Sequence, residues 1–330
     1  MPKLNAGRQA QIVARTIKNM AIGKPITVSF EVTYNCNADC KHCDLGLYNK
    51  IDEPKLGPEV FAAHIARLRP AVAQISGGEP LIRRDIFDII RAMREKDPVA
   101  VFVITTNVQI LNEERYFKLR EAGVDQFSWS FDYPDERHNE FRKLHKNFEH
   151  IRELAPKLAK HGNSDILLAC VVQSDNFRDL PRIAEVAAEW GVGVNYSTYN
   201  CMRTGDESYL FKDKDKLDEL RKVVDKLVRM QSEGYPIMTS EWTLREMIKF
   251  FESGKKENCR AGERFLIVNP WGKLTPCGMF RERYDSQEDL KRRFSAHNQC
   301  DKCFTAIRAN SEKTAYRMMS DALRVVRLGK

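Results

Sequence analysis

Three cysteines within eight residues, Cys36-x3-Cys40-x2-Cys43, directly follow a strand-like apolar run at Ile26–Val32. Thiolates so spaced on a loop can take three corners of a cubane iron–sulfur body and leave its fourth iron without a protein ligand. A zinc site short of one ligand and a chance grouping are the other readings of that spacing. The chain holds nine cysteines in 330 residues, and its first 20 residues lack the apolar core of a secretion signal. In a reducing compartment such thiols serve metals or redox chemistry rather than disulfides. Cys259, Cys277, Cys300 and Cys303 form a second group, while Cys170 and Cys201 stand apart. Two inorganic centres are therefore expected, in a cytoplasmic protein.

The rest of the chain reads as an α/β protein. Strand-like runs at Ile26–Val32, Val72–Ser76, Val99–Thr105, Gln126–Phe131, Ile166–Val172 and Val192–Ser197 alternate with helical patterns near 58–68, 86–93, 112–122, 146–160 and 180–190. Six βα units are too few for a closed eight-stranded barrel, so an open partial (β/α)6 barrel is predicted, with reactive groups at the C-terminal ends of its strands. Beyond it come helices at 214–231 and from the cap Ser240 to Phe251. A β-hairpin in RFLIVNPWGKLTPC and a short helix at Gln287–Phe294 follow. The longest apolar run, Ile166–Val172, is far below the roughly 20 residues of a membrane span. A net charge of +8 suits an anionic cofactor or membrane surface, and no nucleic-acid partner is expected.

These motifs resemble the radical S-adenosylmethionine (SAM) superfamily over roughly residues 22–200. Ser76-Gly77-Gly78-Glu79-Pro80 after the second strand is similar to its GGEP segment, which receives the methionine amino group of SAM. Asn107 ends the third strand. Ser130 and Asp132 end the fourth, like the S-x-D segment near the SAM ribose. The family continues with glycine where this chain has Tyr133, and His42 stands where an aromatic ring precedes the third cysteine. The resemblance implies a [4Fe–4S] cluster on Cys36, Cys40 and Cys43 whose open iron chelates SAM. Reductive cleavage then yields a 5′-deoxyadenosyl radical that abstracts a hydrogen atom from substrate, and a flavodoxin- or ferredoxin-type donor supplies the electron. Gly77, Gly78, Glu79, Asn107, Ser130, Asp132, Gln173 and Arg203 are the candidate cofactor contacts.

Cys259-x17-Cys277 brackets the hairpin and Cys300-x2-Cys303 follows the short helix, a layout similar to the "twitch" (truncated SPASM) extension that holds an auxiliary [4Fe–4S] cluster. Structural zinc on the same four thiols is the alternative. The implied organisation is an N-terminal amphipathic helix at 1–21, a radical SAM core at 22–235, an auxiliary-cluster region at 236–312 and a basic helix at 313–330. With four protein ligands the second cluster has no open iron, so it would carry electrons.

Other candidates have bland counterparts. Asn176 either meets the cofactor or caps its loop. His138 and Arg142 either serve the substrate or lie on an exposed loop. Tyr199, Asn200 and Cys201 follow the sixth strand, Cys170 reads as a small buried hydrophobe, and Glu241 and Trp242 are candidate pocket walls. The terminal helices are amphipathic and basic, which fits either peripheral contact with an anionic membrane or packing on the barrel. The N-terminal one loosely resembles that of the adenosylhopene synthase branch. Only about 22 residues precede the first strand, so no leader-peptide domain is expected there. The reading is a radical SAM enzyme acting on a small molecule or lipid precursor. A peptide or protein maturase and a non-enzymatic iron–sulfur or zinc protein are the alternatives.

Overall fold

The apolar runs that alternate with helical segments become a single sheet in the computed structural model, which describes residues 4–46, 52–318 and 321. In chain order the elements are α1 (Ala6–Ile22), β1 (Thr27–Thr33), α2 (Pro58–Leu68), β2 (Val72–Gly77), α3 (Ile86–Lys96), β3 (Val101–Thr106), α4 (Glu113–Ala122), β4 (Gln126–Ser130), α5 (Arg137–Arg142), α6 (Asn147–Ala159), β5 (Ile166–Val172), α7 (Leu180–Trp190) and β6 (Gly193–Thr198). Then follow α8 (Lys214–Ser232), α9 (Glu241–Ser253), β7 (Phe265–Val268), β8 (Leu274–Thr275), α10 (Gln287–Arg293) and α11 (Ala306–Ser311). Local chemistry sets many of the ends. Asn112 caps α4 by accepting the Arg115 N–H at 2.8 Å, and Gly191 closes α7 in the left-handed region.

The six strands β1 to β6 are parallel and ordered by sequence, as expected of an open barrel. Their side chains alternate. Phe127 and Trp129 of β4 are fully buried in the helix-covered core, whereas Ser128 and Ser130 between them are half-buried. The same face carries Ser29, Gln74, Thr105 and Ser197. There Ser29 and Ser76 hydrogen-bond at 2.7 Å, and Gln74 donates to Thr105 at 2.9 Å. The barrel interior thus mixes these polar groups with apolar ones such as Val171 and Ile267.

The hairpin forms as expected, with Val268 opposite Leu274 and Asn269 closing the turn. It is not an appendage, however. Its first strand, β7, pairs in parallel with β1 from Thr27↔Phe265 to Phe30↔Val268, so the sheet runs β6-β5-β4-β3-β2-β1-β7-β8. At the opposite side, β6 is covered by Pro236–Met238, through Val194 N–H to Pro236 O (2.9 Å) and Met238 N–H to Val194 O (2.8 Å).

Helix α1 packs under the barrel and its arginines are used there. Arg8 binds Asp125 through two 2.6 Å contacts, and Arg94 joins them at 2.6 Å. Arg15 pairs with buried Asp97 at 2.5 Å. Of the two readings given above for this helix, these arginines follow packing on the barrel, because a fixed carboxylate outcompetes solvent for an arginine already held on a helix. The C-terminal basic helix lies largely outside the described residues. No described helix is long and apolar enough to cross a membrane.

Asp97 also accepts the Val99 and Ala100 N–H groups. Asp97→Ala is therefore expected to cost about 3–5 kcal/mol by stranding Arg15 and two amides. Arg91→Ala, at the exposed Arg91–Asp88 pair, should change thermal unfolding almost not at all.

Candidate active site

The cysteine loop leaves β1 and is pinned at its root. Glu53 accepts the Tyr34 N–H at 2.7 Å and the Asn35 amide at 2.8 Å, and also takes the Thr33 hydroxyl. Each thiol of the first group has an N–H donor: Ala38 N to Cys36 Sγ at 3.4 Å, Leu45 N to Cys43 Sγ at 3.5 Å, and Arg142 Nη1 to Cys40 Sγ at 3.8 Å. Burial pushes the Cys36 thiol up to about 12 and raises Cys40 as well. Without a cation these thiols stay protonated. The charge of bound iron is what would make them thiolates, and the ready N–H donors suit the sulfurs of a cluster.

The Gly77-Gly78-Glu79 turn lies directly against this loop. Gly78 N–H donates to Thr33 O (2.8 Å) and Glu79 N–H to Asn35 O (3.0 Å). A Cβ at Gly77, whose φ is +130°, would sit 2.1 Å from Thr33 O, and one at Gly78 would sit 2.0 Å from Asn35 O. Only glycine permits this approach. Glu79 is buried, and the protein itself occupies its carboxylate, which accepts Thr106 Oγ1 (2.8 Å), Leu81 N (3.0 Å) and Asn107 N (2.7 Å). Glu79 thereby fixes the β3 end beside the glycine turn. Asn107 in turn donates to Asn37 Oδ1 at 2.7 Å, and Val108 after it is held at φ +71°, a strained conformation for a β-branched residue.

At the next strand ends the polar groups engage one another. Asp132 is fully buried. Its Oδ2 meets Arg142 at 2.6 Å and its Oδ1 accepts Val171 N at 3.0 Å. Burial alone would raise its carboxyl, but Arg142 and the nearby histidines outweigh that and hold it below its ordinary value. His138 and Arg142, expected on an exposed loop, lie instead on the short helix α5 and are buried. The reason is the Asp132 charge, which needs a cation beside it. Tyr133, in the place of the family's glycine, packs edge-on to Phe141 and accepts the Gln173 amide at 3.3 Å. The Gln173 Oε1 has no partner and is buried. Asn176 donates to Val171 O and Asp132 O and accepts Gln173 N–H, the loop-capping arrangement. His42 stacks on Phe141 with centroids 4.9 Å apart, and its Nδ1 is buried without a partner. Ser130 sits at the inner face of β4, half-buried.

The second group gathers around a small apolar cluster of Ala261, Phe265 and Cys277. Burial pushes Cys277 up to about 12 and Cys259 up to about 11. Met279 N–H donates to Cys277 Sγ at 3.4 Å. Arg308, fully buried, bonds Cys303 O (2.7 Å), Lys256 O (2.6 Å), Glu257 O (2.8 Å) and Glu312 (2.9 Å). A buried cation beside Cys259 and Cys303 suits a site that becomes anionic when filled. Among the described residues, no three Cys, His, Asp or Glu side chains converge as they would on a single metal ion.

One cavity of about 380 Å³ joins the two groups. Its lining includes His42 and Cys43 on one side, Cys259, Cys277, Cys300 and Cys303 on the other, and Ser29, Gln74, Val171 and Ser197 of the barrel interior as the floor. Tyr199, Asn200 and Arg203 complete the wall, whereas Cys201, Cys170, Glu241 and Trp242 do not reach it. Arg203 pairs with Asp44, which also meets Arg281 of the hairpin region at 3.0 Å. Beside them lies buried Glu31, whose carboxyl burial raises against the pull of Arg203 and Arg281. Sequence reasoning missed Glu31, Asp44, Glu53, Arg281 and Arg308. Of these only Glu31 left a local trace, a charge on an otherwise apolar strand.

Residues 30–187 match the radical SAM superfamily. The match covers 158 of the chain's 330 residues. The chain is 27% identical over 277 residues to an AdoMet-dependent heme synthase of Methanosarcina barkeri, covering 77% of each chain. It is 23% identical to a PqqA peptide cyclase of Granulibacter bethesdensis, over 78% of this chain and 68% of the relative. Among solved structures it is similar in fold to Streptococcus suis SuiB bound to precursor peptide SuiA, with TM-score 0.64, 17% identity and coverage of 85% of this chain and 67% of that one. A second is anSMEcpe with bound AdoMet and a peptide, with TM-score 0.61, 17% identity and coverage of 84% and 82%.

Glu79 makes the site pH-sensitive. Burial raises its carboxyl from 4.5 to about 7, so the folded chain binds that proton more tightly than the unfolded one. Its stabilising contribution is full below about 4.5 and is lost as pH rises to about 7. Glu79→Gln has no such loss. Relative to the parent, its thermal stability is expected to improve between pH 5 and pH 8, measured by calorimetry at both.

Proposed function

We propose that this radical SAM enzyme abstracts a hydrogen atom from a small-molecule or lipid-precursor substrate seated between two iron–sulfur centres, and oxidises it further. The observation that carries this reading is one cavity lined by Cys43 of the first cysteine group and by all four cysteines of the second. Cys36, Cys40 and Cys43 would hold a [4Fe–4S] cluster. With SAM bound, it supplies one-electron cleavage of a carbon–sulfur bond and so a 5′-deoxyadenosyl radical. Gly77 and Gly78 bring backbone close to that site, Glu79 and Asn107 hold the loop in register, and His42 offers a ring beside the cavity. Ser130 and the unpartnered Gln173 Oε1 are further polar groups at the strand ends. Arg203 and Asp44 face the cavity as a charged pair suited to a polar or ionised substrate group. Cys259, Cys277, Cys300 and Cys303 would hold an auxiliary [4Fe–4S] cluster able to take an electron from substrate. The buried Arg308 beside Cys259 and Cys303 supports that over one zinc ion.

A second reading, a peptide maturase, is favoured by the names of a relative and two structural neighbours, a peptide cyclase and two enzymes bound to peptides. Deuterated candidate substrates of both kinds, with mass spectrometry of the 5′-deoxyadenosine formed, separate the two. Label from a peptide would displace the small-molecule reading.

About eight irons per chain are expected after anaerobic reconstitution, falling to about four in the Cys36→Ala/Cys40→Ala/Cys43→Ala variant. That variant should form no 5′-deoxyadenosine, and persistent SAM cleavage in it would overturn the assignment.

The Cys300→Ala/Cys303→Ala variant is expected to keep slow reductive SAM cleavage while failing to complete oxidised product. Product at the parent rate, on protein confirmed to hold about four irons, would make the second centre structural.

A further inference from the structure

The resemblance to the superfamily placed Asp132 beside the cofactor's ribose. In this chain its carboxylate is already engaged. Oδ2 receives Arg142 Nε at 2.7 Å and Nη2 at 2.6 Å, and Oδ1 receives Val171 N–H at 3.0 Å. The same guanidinium turns Nη1 to Cys40 Sγ at 3.8 Å. Backbone amides donate to Cys36 and Cys43, and the donor to Cys40 is a charged guanidinium.

That charge is held from several sides. Arg142 ends α5, and the helix is tied to the strand ends through His138. The Nδ1 of His138 accepts the Asp132 N–H at 3.2 Å, which leaves Nε2 as the protonated nitrogen facing Asn147 Oδ1 at 3.0 Å. Asn147 then donates to Asn107 O at 3.0 Å. Asp132, His138 and Asn147 are wholly buried, so solvent and salt screen the pair weakly.

We propose that the Asp132–Arg142 pair sets the reduction potential of the cluster on Cys36, Cys40 and Cys43, with Arg142 as a positioning residue acting through Cys40. The proposal rests on the reading that these thiols hold a [4Fe–4S] cluster. Reduction adds one negative charge to that body. A guanidinium against one of its sulfurs stabilises the reduced form, and the Asp132 carboxylate behind the guanidinium cancels part of the effect. Removing the cation and removing the anion must therefore shift the potential in opposite directions. A merely structural pin has no such signature, since loss of either partner would loosen the same loop.

The experiment is an anaerobic redox titration of the full-length reconstituted chain, following the electron paramagnetic resonance signal that SAM perturbs. Arg142→Gln should move the midpoint to more negative potential and Asp132→Asn to less negative potential, while Arg142→Lys stays near the parent. Shifts of Arg142→Gln and Asp132→Asn in the same direction, or no shift in either, would overturn the proposal. If Arg142→Gln does not retain its cluster, Asp132→Asn still keeps the arginine, and an unmoved or more negative midpoint there is equally decisive. Absence of any SAM-responsive signal from the parent overturns the underlying cluster assignment instead.

Discussion

The parallel pairing of β1 and β2 continues past the last regular ladder bond. Gly78 N–H reaches Thr33 O and Glu79 N–H reaches Asn35 O, so the glycine turn and the root of the cysteine loop are hydrogen-bonded to each other. This contact demands glycine twice, because a side chain at either position would enter a carbonyl oxygen. It also brings Glu79 down to where its carboxylate can gather the ends of β3. The cluster loop, the glycine turn and the Asn107 corner thus share one frame. Each is polar backbone that needs partners once buried, and here each supplies the partners of the next.

Around that frame the chain places charges in compensating sets. Arg142 with Asp132 stands behind Cys40, Arg203 with Asp44 stands at the cavity wall with Arg281 and Glu31 beside them, and Arg308 with Glu312 stands behind the second cysteine group. Buried ions of this kind are a poor route to stability compared with apolar packing. Beside thiols that would hold clusters under the proposed function, they would have a different use, adjusting the field in which electrons move.

Much of this was legible from residues alone. Period-two and period-3.6 patterns located all six barrel strands to within a residue or two, because a sheet covered by helices needs apolar side chains on its outer face. Cys36, Cys40 and Cys43 announce themselves through spacing, and Gly77 and Gly78 through sequence neighbours. What stayed hidden depends on contacts between distant positions. Phe265 pairs with Thr27 across most of the chain, and four residues of strand carry no mark of their partner. Arg142 reads as a substrate contact or an exposed loop residue until α5 brings it to Asp132. Glu79 shows the opposite failure. Its motif was plain, yet two of its carboxylate's partners are Thr106 and Asn107, which no local pattern connects to it.

The junction of β7 with β1 has a consequence for how such a chain could be shortened. A barrel cut off after β6 would leave Thr27–Phe30 with one flank of amides and carbonyls bare, and such a flank recruits strands from other molecules. The region that houses the second cysteine group is therefore also the seal on the barrel's first strand. Trimming it away would invite aggregation before any loss of chemistry could be observed. A descendant that dispensed with the second cysteine group would have to replace its thiols one by one and keep the strand.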